Sequence, residues 1–290
     1  MTARAIAAEP TAEPFMRWET VGRILSYAAL ALAVLIVLFP VYWMITTSLK
    51  LPREIVRTPS LWPQVFTLNN YSILLNDKGF LLNIRNSLFV AGTVTLISLF
   101  ISSFAAYSIM RYRYRFRGLI GRLILFAYLT PTSLLFIPLS ILMARLGLGN
   151  SLHGLILVYL TFSLPLSTWL LSGYFRGVPR ELEEQGMIDG LSRFGALLRI
   201  VLPLSAPGLA AVSIFTFTGA WNELLLALVL TTSESVRTAP LALNYLITSD
   251  VLPWGPLMAG AVISSVPLMI LYFVAQRFMV QGMTAGSVKG

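Results

Sequence analysis

Glu223 stands in the run FTGAWNELLLALVL and is the one acid placed well within an apolar stretch of this chain. Inserting a carboxylate near the centre of a membrane helix costs about 2.5–3.5 kcal/mol, so such acids face a cavity or a partner group. Trp221 and Asn222 beside it supply a stacking ring and an amide, both suited to sugar faces and hydroxyls. Other chemistry is sparse. The 290 residues contain one histidine, His153, and no cysteine. A lone histidine makes neither a metal site nor a catalytic triad, and there is no thiol nucleophile. His153 is expected at the mouth of a span, capping the helix entry. No Gly-x-x-x-x-Gly-Lys-Ser/Thr sequence occurs, so nucleotide binding by that route is excluded. The chain reads as a non-enzyme that holds no cofactor and no metal of its own.

The second concentration of polar side chains is ELEEQGMIDGLSRFGALLRIVLP, from Glu181 to Pro203. Pro179 fits a first helical position, and Glu181, Glu183 and Glu184 fall where a helix dipole favours negative charge. Gly190 suits a left-handed terminator. Ser192 can cap a second segment, Arg193 to Leu202, which Pro203 interrupts. The spacing predicts a compact knob of two short helices, the first about 11 residues long.

Both groups of residues are carried by membrane spans. Hydrophobic residues make up 57% of the chain and charged ones 11%, against about 25% charged in a soluble domain. Six apolar stretches approach the roughly 20 residues that a spanning helix needs. They run over 26–48, 86–110, 119–143, 152–174, 204–230 and 256–279, with Pro40, Pro131, Pro138 and Pro165 inside them. The expected organisation is an N-terminal tail over 1–25, the first span over 26–48 and an extracytoplasmic loop over 49–85 too broken to cross. A five-span core follows over 86–280, including the knob loop 175–203, and then a C-terminal tail over 281–290. Ser98, Ser102, Ser103 and their neighbours in the second span suit close interhelical packing.

The net charge of +9 does not point to nucleic acid, because the basic residues cluster in particular loops. RYRYRFRG, Arg111 to Gly118, reads as a short hairpin with arginines at the lipid headgroups. With six spans and the N-terminus inside, the inside segments hold 14 of the 21 basic residues. That bias places the knob and both termini in the cytoplasm.

The knob also resembles the EAA loop of ABC-importer permeases: Glu-Ala-Ala, three residues, Gly, nine residues, Ile-x-Leu-Pro. Glu184, Gly190, Ile200, Leu202 and Pro203 match that spacing, with Asp189 before the glycine and Gln185-Gly186 in place of the alanine pair. WNELLLALVL downstream of LPLSAPGL, and the terminal GMTAGSVKG, look like the carbohydrate branch of these permeases, the maltose-type second subunit. The resemblance implies an all-α, six-helix type I importer fold in the inner membrane of a prokaryote. It implies a homologous second permease, two ATPase subunits that bind ATP and magnesium, and an extracytoplasmic solute-binding protein. Contact with the ATPases would fall on Glu181, Glu183, Glu184, Gln185, Gly186, Asp189, Gly190, Arg193 and Phe194, and on the tail 282–290. The loop 231–255 would reach the binding protein.

On a continuous helix Asn222 shares the water-facing stripe with Thr218 and Leu226, Trp221 packs with Phe217, and Glu223 lies over Gly219 and Ala220. Glu223 therefore either lines a substrate pathway with Trp221, Asn222 and Thr218, or packs against the partner permease. A self-sufficient secondary transporter or channel is the competing class. It would need an ion-coupling site or an inverted repeat, and Glu223 is the sole candidate.

Overall fold

The structure, a computed structural model, describes residues 15–247 and 252–286, with side chains over 20–247 and 252–279. The tail residues 1–14 and 287–290, and 248–251 of the loop before the last span, lie outside the described residues. Every regular element among those described is helical.

Helix α1, Phe15–Ser48, starts eleven residues before the expected span and continues through Pro40. The correction to the tail 1–25 follows from sequence, since no Pro interrupts the chain between Pro14 and Pro40 and the lone Gly22 is tolerated inside a helix. The segment 49–79 does not cross. It forms a helix Pro52–Val56, a turn of helix Asn69–Ser72 and a π-turn Ile73–Asp77. Lys50 is almost fully buried; its ammonium lies 4.6 Å from the centre of the Trp43 ring and donates to Ser60 O. Ser60 Oγ and Gln64 N donate to Glu54 Oε1. The Ser60 hydrogen bond, aided by the Gln64 amide and the Lys50 charge, holds the Glu54 carboxyl below its ordinary range despite burial.

The core is α2 (Phe80–Arg111) packed along α5 (Leu152–Arg176), with α8 (Ala206–Asn222) against both. Ser98 meets Ser163 at 2.9 Å, Thr168 donates to Ser102 at 3.1 Å, and Ser167 meets Thr216 at 3.0 Å. Small hydroxyls therefore let the three helices approach closely, as the serine pattern of the second span predicts. The last helix, α11 (Trp254–Gly286), contains Pro267 and packs on α1 and α8.

Two expected spans are broken. The third is a pair, α3 (Arg117–Leu129) and α4 (Thr132–Arg145), meeting at 96°. Pro131 is the cause: it disfavours helical backbone at Thr130, which is extended at φ −70°, ψ 123°. The fifth ends at Asn222. Glu223 is extended (φ −68°, ψ 118°), and a six-residue helix, α9 (Leu225–Leu230), follows. Before it, α7 (Arg193–Leu204) joins α8 at 77°. Counting bent pairs as spans, four long helices become up to six.

The two ends of the bundle are stapled differently. At one end Asn86 Nδ2 donates to the Ser235 and Arg237 carbonyls, Ala239 N donates to Ser87 Oγ, and α10 (Ala239–Leu246) lies across the top. Asn150, in the left-handed region at φ 51°, accepts from Thr232 N and Ser233 N at 2.9 Å. His153 is exposed beside Phe89 and does not cap α5; Ser151 does, accepting from Gly154 N at 3.0 Å. The knob sits at the other end. Asn70 bonds the end of α1 through Ser48 O and touches Gly255 at the start of α11. The free ends of α1 and α11 therefore both point to the knob's end.

Candidate functional site

The knob is α6 (Arg180–Ile188) followed by α7. Pro179 is the N-cap of α6 rather than its first residue, and the helix has nine residues rather than about eleven. Gly190 adopts φ +94°, which an L side chain resists, and turns the chain. Ser192 Oγ accepts from Gly195 N at 3.1 Å and starts α7. Pro203 does not end that helix. A π-turn at Leu197–Val201 widens the backbone ahead of it, relieving the clash of a proline ring with the preceding turn.

The three glutamates separate once folded. Glu181 and Glu184 are exposed, whereas Glu183 turns inward. Its Oε1 pairs with Arg111 Nε at 2.5 Å, both side chains being 7% exposed, and its Oε2 accepts from Tyr107 at 3.0 Å. Arg111 Nη2 also donates to the carbonyls of Phe175 (3.0 Å) and Val178 (2.7 Å) at the end of α5. Tyr107 reaches Arg193 O at 3.2 Å, and Arg180 donates to Met110 O at 3.0 Å. One guanidinium therefore clamps α2, α5 and α6 together. Arg111 is not the headgroup arginine that RYRYRFRG suggested.

Gly186 is buried in contact with α7: a Cβ there would stand 2.5 Å from Ile200 Cδ1 and 3.2 Å from Leu191 Cδ1. Phe194 stacks on Phe104 at 6.0 Å, and Arg193 lies over the Tyr112 ring at 5.3 Å. Gln185, Asp189 and Glu184 face outward with Ile188, which is 85% exposed at the tip. The knob thus presents an acidic and apolar outer face on a rigidly anchored base.

The second site is an open cavity of about 230 Å³ between the helices of the bundle. Tyr128, Thr130 and Thr132 line it from the α3–α4 break, and Gly219, Ala220 and Glu223 from the α8–α9 break. Tyr159, Phe162 and Ser163 close it from α5 near Pro165. Both breaks in the bundle meet at this space, which fits the rule that non-helical backbone at membrane depth lines a cavity or lies within protein. Glu223 Oε1 accepts from Leu226 N at 2.9 Å and so caps α9, while Tyr159 Oη donates to Glu223 O at 3.5 Å.

The continuous-helix placement of the four pathway residues is corrected here. Glu223 faces the cavity with Gly219 and Ala220. Asn222 is exposed and does not line it, because the helix ends there and Leu226 belongs to the next element. Thr218 is half-buried, its hydroxyl without a hydrogen-bond partner. Trp221 is 2% exposed and stacks on Phe217 at 5.6 Å in a core with Leu74 and Phe80. Tyr128 and Tyr159 were missed by sequence reasoning, since a tyrosine in an apolar run carries no periodic signal. Among the described residues no three of His, Asp and Glu come together as a metal site.

Residues 98–285 match the family described as "Binding-protein-dependent transport system inner membrane component". The chain is 38% identical over 270 residues to the sulfoquinovosyl glycerol transport system permease protein SmoH of Agrobacterium fabrum, covering 93% of this chain and 95% of that protein. It is also 38% identical to the trehalose/maltose transport system permease protein MalG of Thermococcus litoralis, covering 95% and 100% respectively. A bacterial ABC transporter involved in import of the acidic polysaccharide alginate shares the fold, with a TM-score of 0.75 at 22% identity over 93% of this chain and 99% of that one. Four helices long and apolar enough to cross a membrane, two bent pairs beside them, a two-helix knob at one end and these matches lead to one conclusion: the chain belongs to the inner-membrane components of binding-protein-dependent transport systems.

Proposed function

We propose that this chain is one of two permease subunits of an ATP-driven importer for a sugar, oligosaccharide or related polyol. The observation that carries the reading is the cavity where two broken spans meet. Its tyrosine rings and its threonine and serine hydroxyls suit sugar faces and hydroxyls, and two of the chain's relatives are named for a glycoside and for disaccharides. Glu223 accepts hydroxyl protons at the cavity wall while it caps α9. No ATP site is needed in this chain; two partner ATPase subunits would bind ATP and magnesium. Their closure would move α6, which enters their clefts through Ile188 and the acidic face of Glu181, Glu184 and Asp189. The Arg111 clamp would pass that movement to α2 and α5, which form the cavity wall. Glu183, Gly186, Arg193 and Phe194 would act inside the knob, holding its two helices to the bundle. The knob and both termini lie in the cytoplasm on this reading, and the loop 231–255 meets the binding protein outside.

The test is reconstitution of the chain with the permease, ATPase and binding protein encoded beside it. Sugar-loaded binding protein should stimulate ATP hydrolysis and drive uptake of labelled sugar into vesicles. Uptake driven by an ion gradient without ATP would overturn the reading in favour of a secondary transporter.

A further inference from the structure

A groove of about 470 Å³ lies at the knob's end, on a different side of Arg111 from the Glu183 pair. Its floor is Gly118 and Gly121 in the first turns of α3, where an added Cβ would meet nothing within 4 Å. Its walls carry Arg111, Arg117, Arg176 and Arg180, and no acidic residue lines it. Of the four, Arg111 alone has a carboxylate partner among the described residues. Arg117 and Arg180 donate to backbone carbonyls, and Arg176 is exposed with no hydrogen bond or ion pair among those residues.

Arg176 also lines a neighbouring groove of about 440 Å³ that climbs α5 past Tyr174, Gly173, Leu170 and Trp169. Leu119, Leu123 and Phe126 stand exposed on adjoining α3. A cationic groove at the knob's end and a mostly apolar groove along α5 thus share one lining side chain, Arg176.

We propose that this pair of grooves binds an anionic phospholipid of the leaflet on the knob's side, with its phosphate among Arg117, Arg176 and Arg180 and an acyl chain along Trp169 and Tyr174. Charge complementarity selects an anion, and arginine forks suit phosphate oxygens. The apolar continuation selects a lipid over a soluble anion. An acidic surface of a protein partner would leave the α5 groove empty.

The test uses the full complex purified in mild detergent and examined by native mass spectrometry after equilibration with phosphatidylglycerol or phosphatidylcholine. Wild-type protein should retain phosphatidylglycerol selectively. Arg117→Gln/Arg176→Gln should weaken that retention about 30-fold, from roughly fivefold per arginine near a membrane surface. Arg176→Gln alone, at an exposed position whose side chain supports no fold contact, should weaken it about fivefold. Arg113→Gln, with the same charge change outside the groove, should leave it unchanged. Trp169→Ala should shorten retention without altering headgroup preference. Equal retention of both lipids, or loss of retention in Arg113→Gln equal to that in Arg176→Gln, would overturn the proposal. Displacement of the bound species by glycerol phosphate at matched concentration would instead make the site one for a free phosphate. Loss of the ATPases with lipid retention intact would assign the arginines to a protein contact.

Discussion

Removing one member of the Arg111–Glu183 pair should loosen the knob from the bundle by an amount that depends on which member is removed. Breaking a buried ion pair costs about 3–5 kcal/mol, mostly from the charge left behind. Glu183→Ala leaves Arg111 still donating to Phe175 O and Val178 O, so its charge keeps two acceptors. The lower end, about 3 kcal/mol, is expected there. Arg111→Ala leaves the Glu183 carboxylate with only the Tyr107 hydroxyl and removes the guanidinium from the Phe175 and Val178 carbonyls. The upper end, about 5 kcal/mol, is expected for it. Tyr107→Phe removes one hydrogen bond to a charged group and should cost about 1.5–3 kcal/mol. Hydrogen exchange of the α6 and α7 amides reads these differences directly, because local opening sets the exchange rate. Glu183→Ala should accelerate exchange about 150-fold, which corresponds to 3 kcal/mol at tenfold per 1.4 kcal/mol. Arg111→Met/Glu183→Leu should recover most of the protection, since apolar pairs replace buried ion pairs at little cost. If Arg111→Ala exchanged at the wild-type rate while Tyr107→Phe did not, the clamp would lie in the tyrosine and the reasoning would fail.

Gly190→Ala should destabilise the turn between α6 and α7 by about 1–2 kcal/mol, measured by the same exchange, because φ +94° strains an L residue. Gly186→Ala paired with Ile200→Val should tighten α6 by up to about 1 kcal/mol through helix propensity, whereas Gly186→Leu should abolish coupled uptake by prying α6 from α7. Cysteines placed at Arg113 and Ser235 should be labelled from opposite sides of the membrane, cleanly, as the chain has no native cysteine; labelling from one side would break the topology. Glu223→Ala should lower sugar uptake more than Asn222→Ala with the partner permease still co-purifying, and loss of co-purification would move Glu223 to the subunit interface. The Glu54 staple is complete above the ordinary carboxylate pKa of about 4.3 and is lost as pH falls through the lowered folded value. Limited proteolysis of the 49–66 segment should therefore quicken as pH falls below the ordinary carboxylate range and not above it.

The knob was legible because its ends are written in Pro179, Gly190 and Ser192, whose backbone preferences act locally. The α3–α4 break was legible as an interruption at Pro131 but not as a 96° turn, since the angle is set by packing around the cavity. The α8–α9 break was invisible: WNELLLALVL holds no glycine or proline, and helix propensity there favours continuation. Tertiary contacts override it, with the Glu223 carboxylate capping Leu226 and Tyr159 bonding the freed carbonyl. Adjacent glutamates cannot be sorted by pattern either. The acid that matched the motif, Glu184, stays outside, and its neighbour Glu183 is the one that Arg111 draws in. The arginine in turn lay hidden among four alternating with aromatics.

The bend between α3 and α4 bears on how the chain enters the bilayer during synthesis. The two halves have 13 and 14 residues, about 20 Å each at about 1.5 Å per residue, against a hydrocarbon core of about 30 Å. Neither half can settle alone beside lipid. The exposed amide and carbonyl groups around Thr130 and Pro131 need protein against them, and the wall that supplies it includes Val94 of α2 together with Tyr159 and Phe162 of α5. α5 emerges from the ribosome only after α4. The bent pair must therefore wait, held in the insertion machinery or at the interface, until the helix that follows it has arrived.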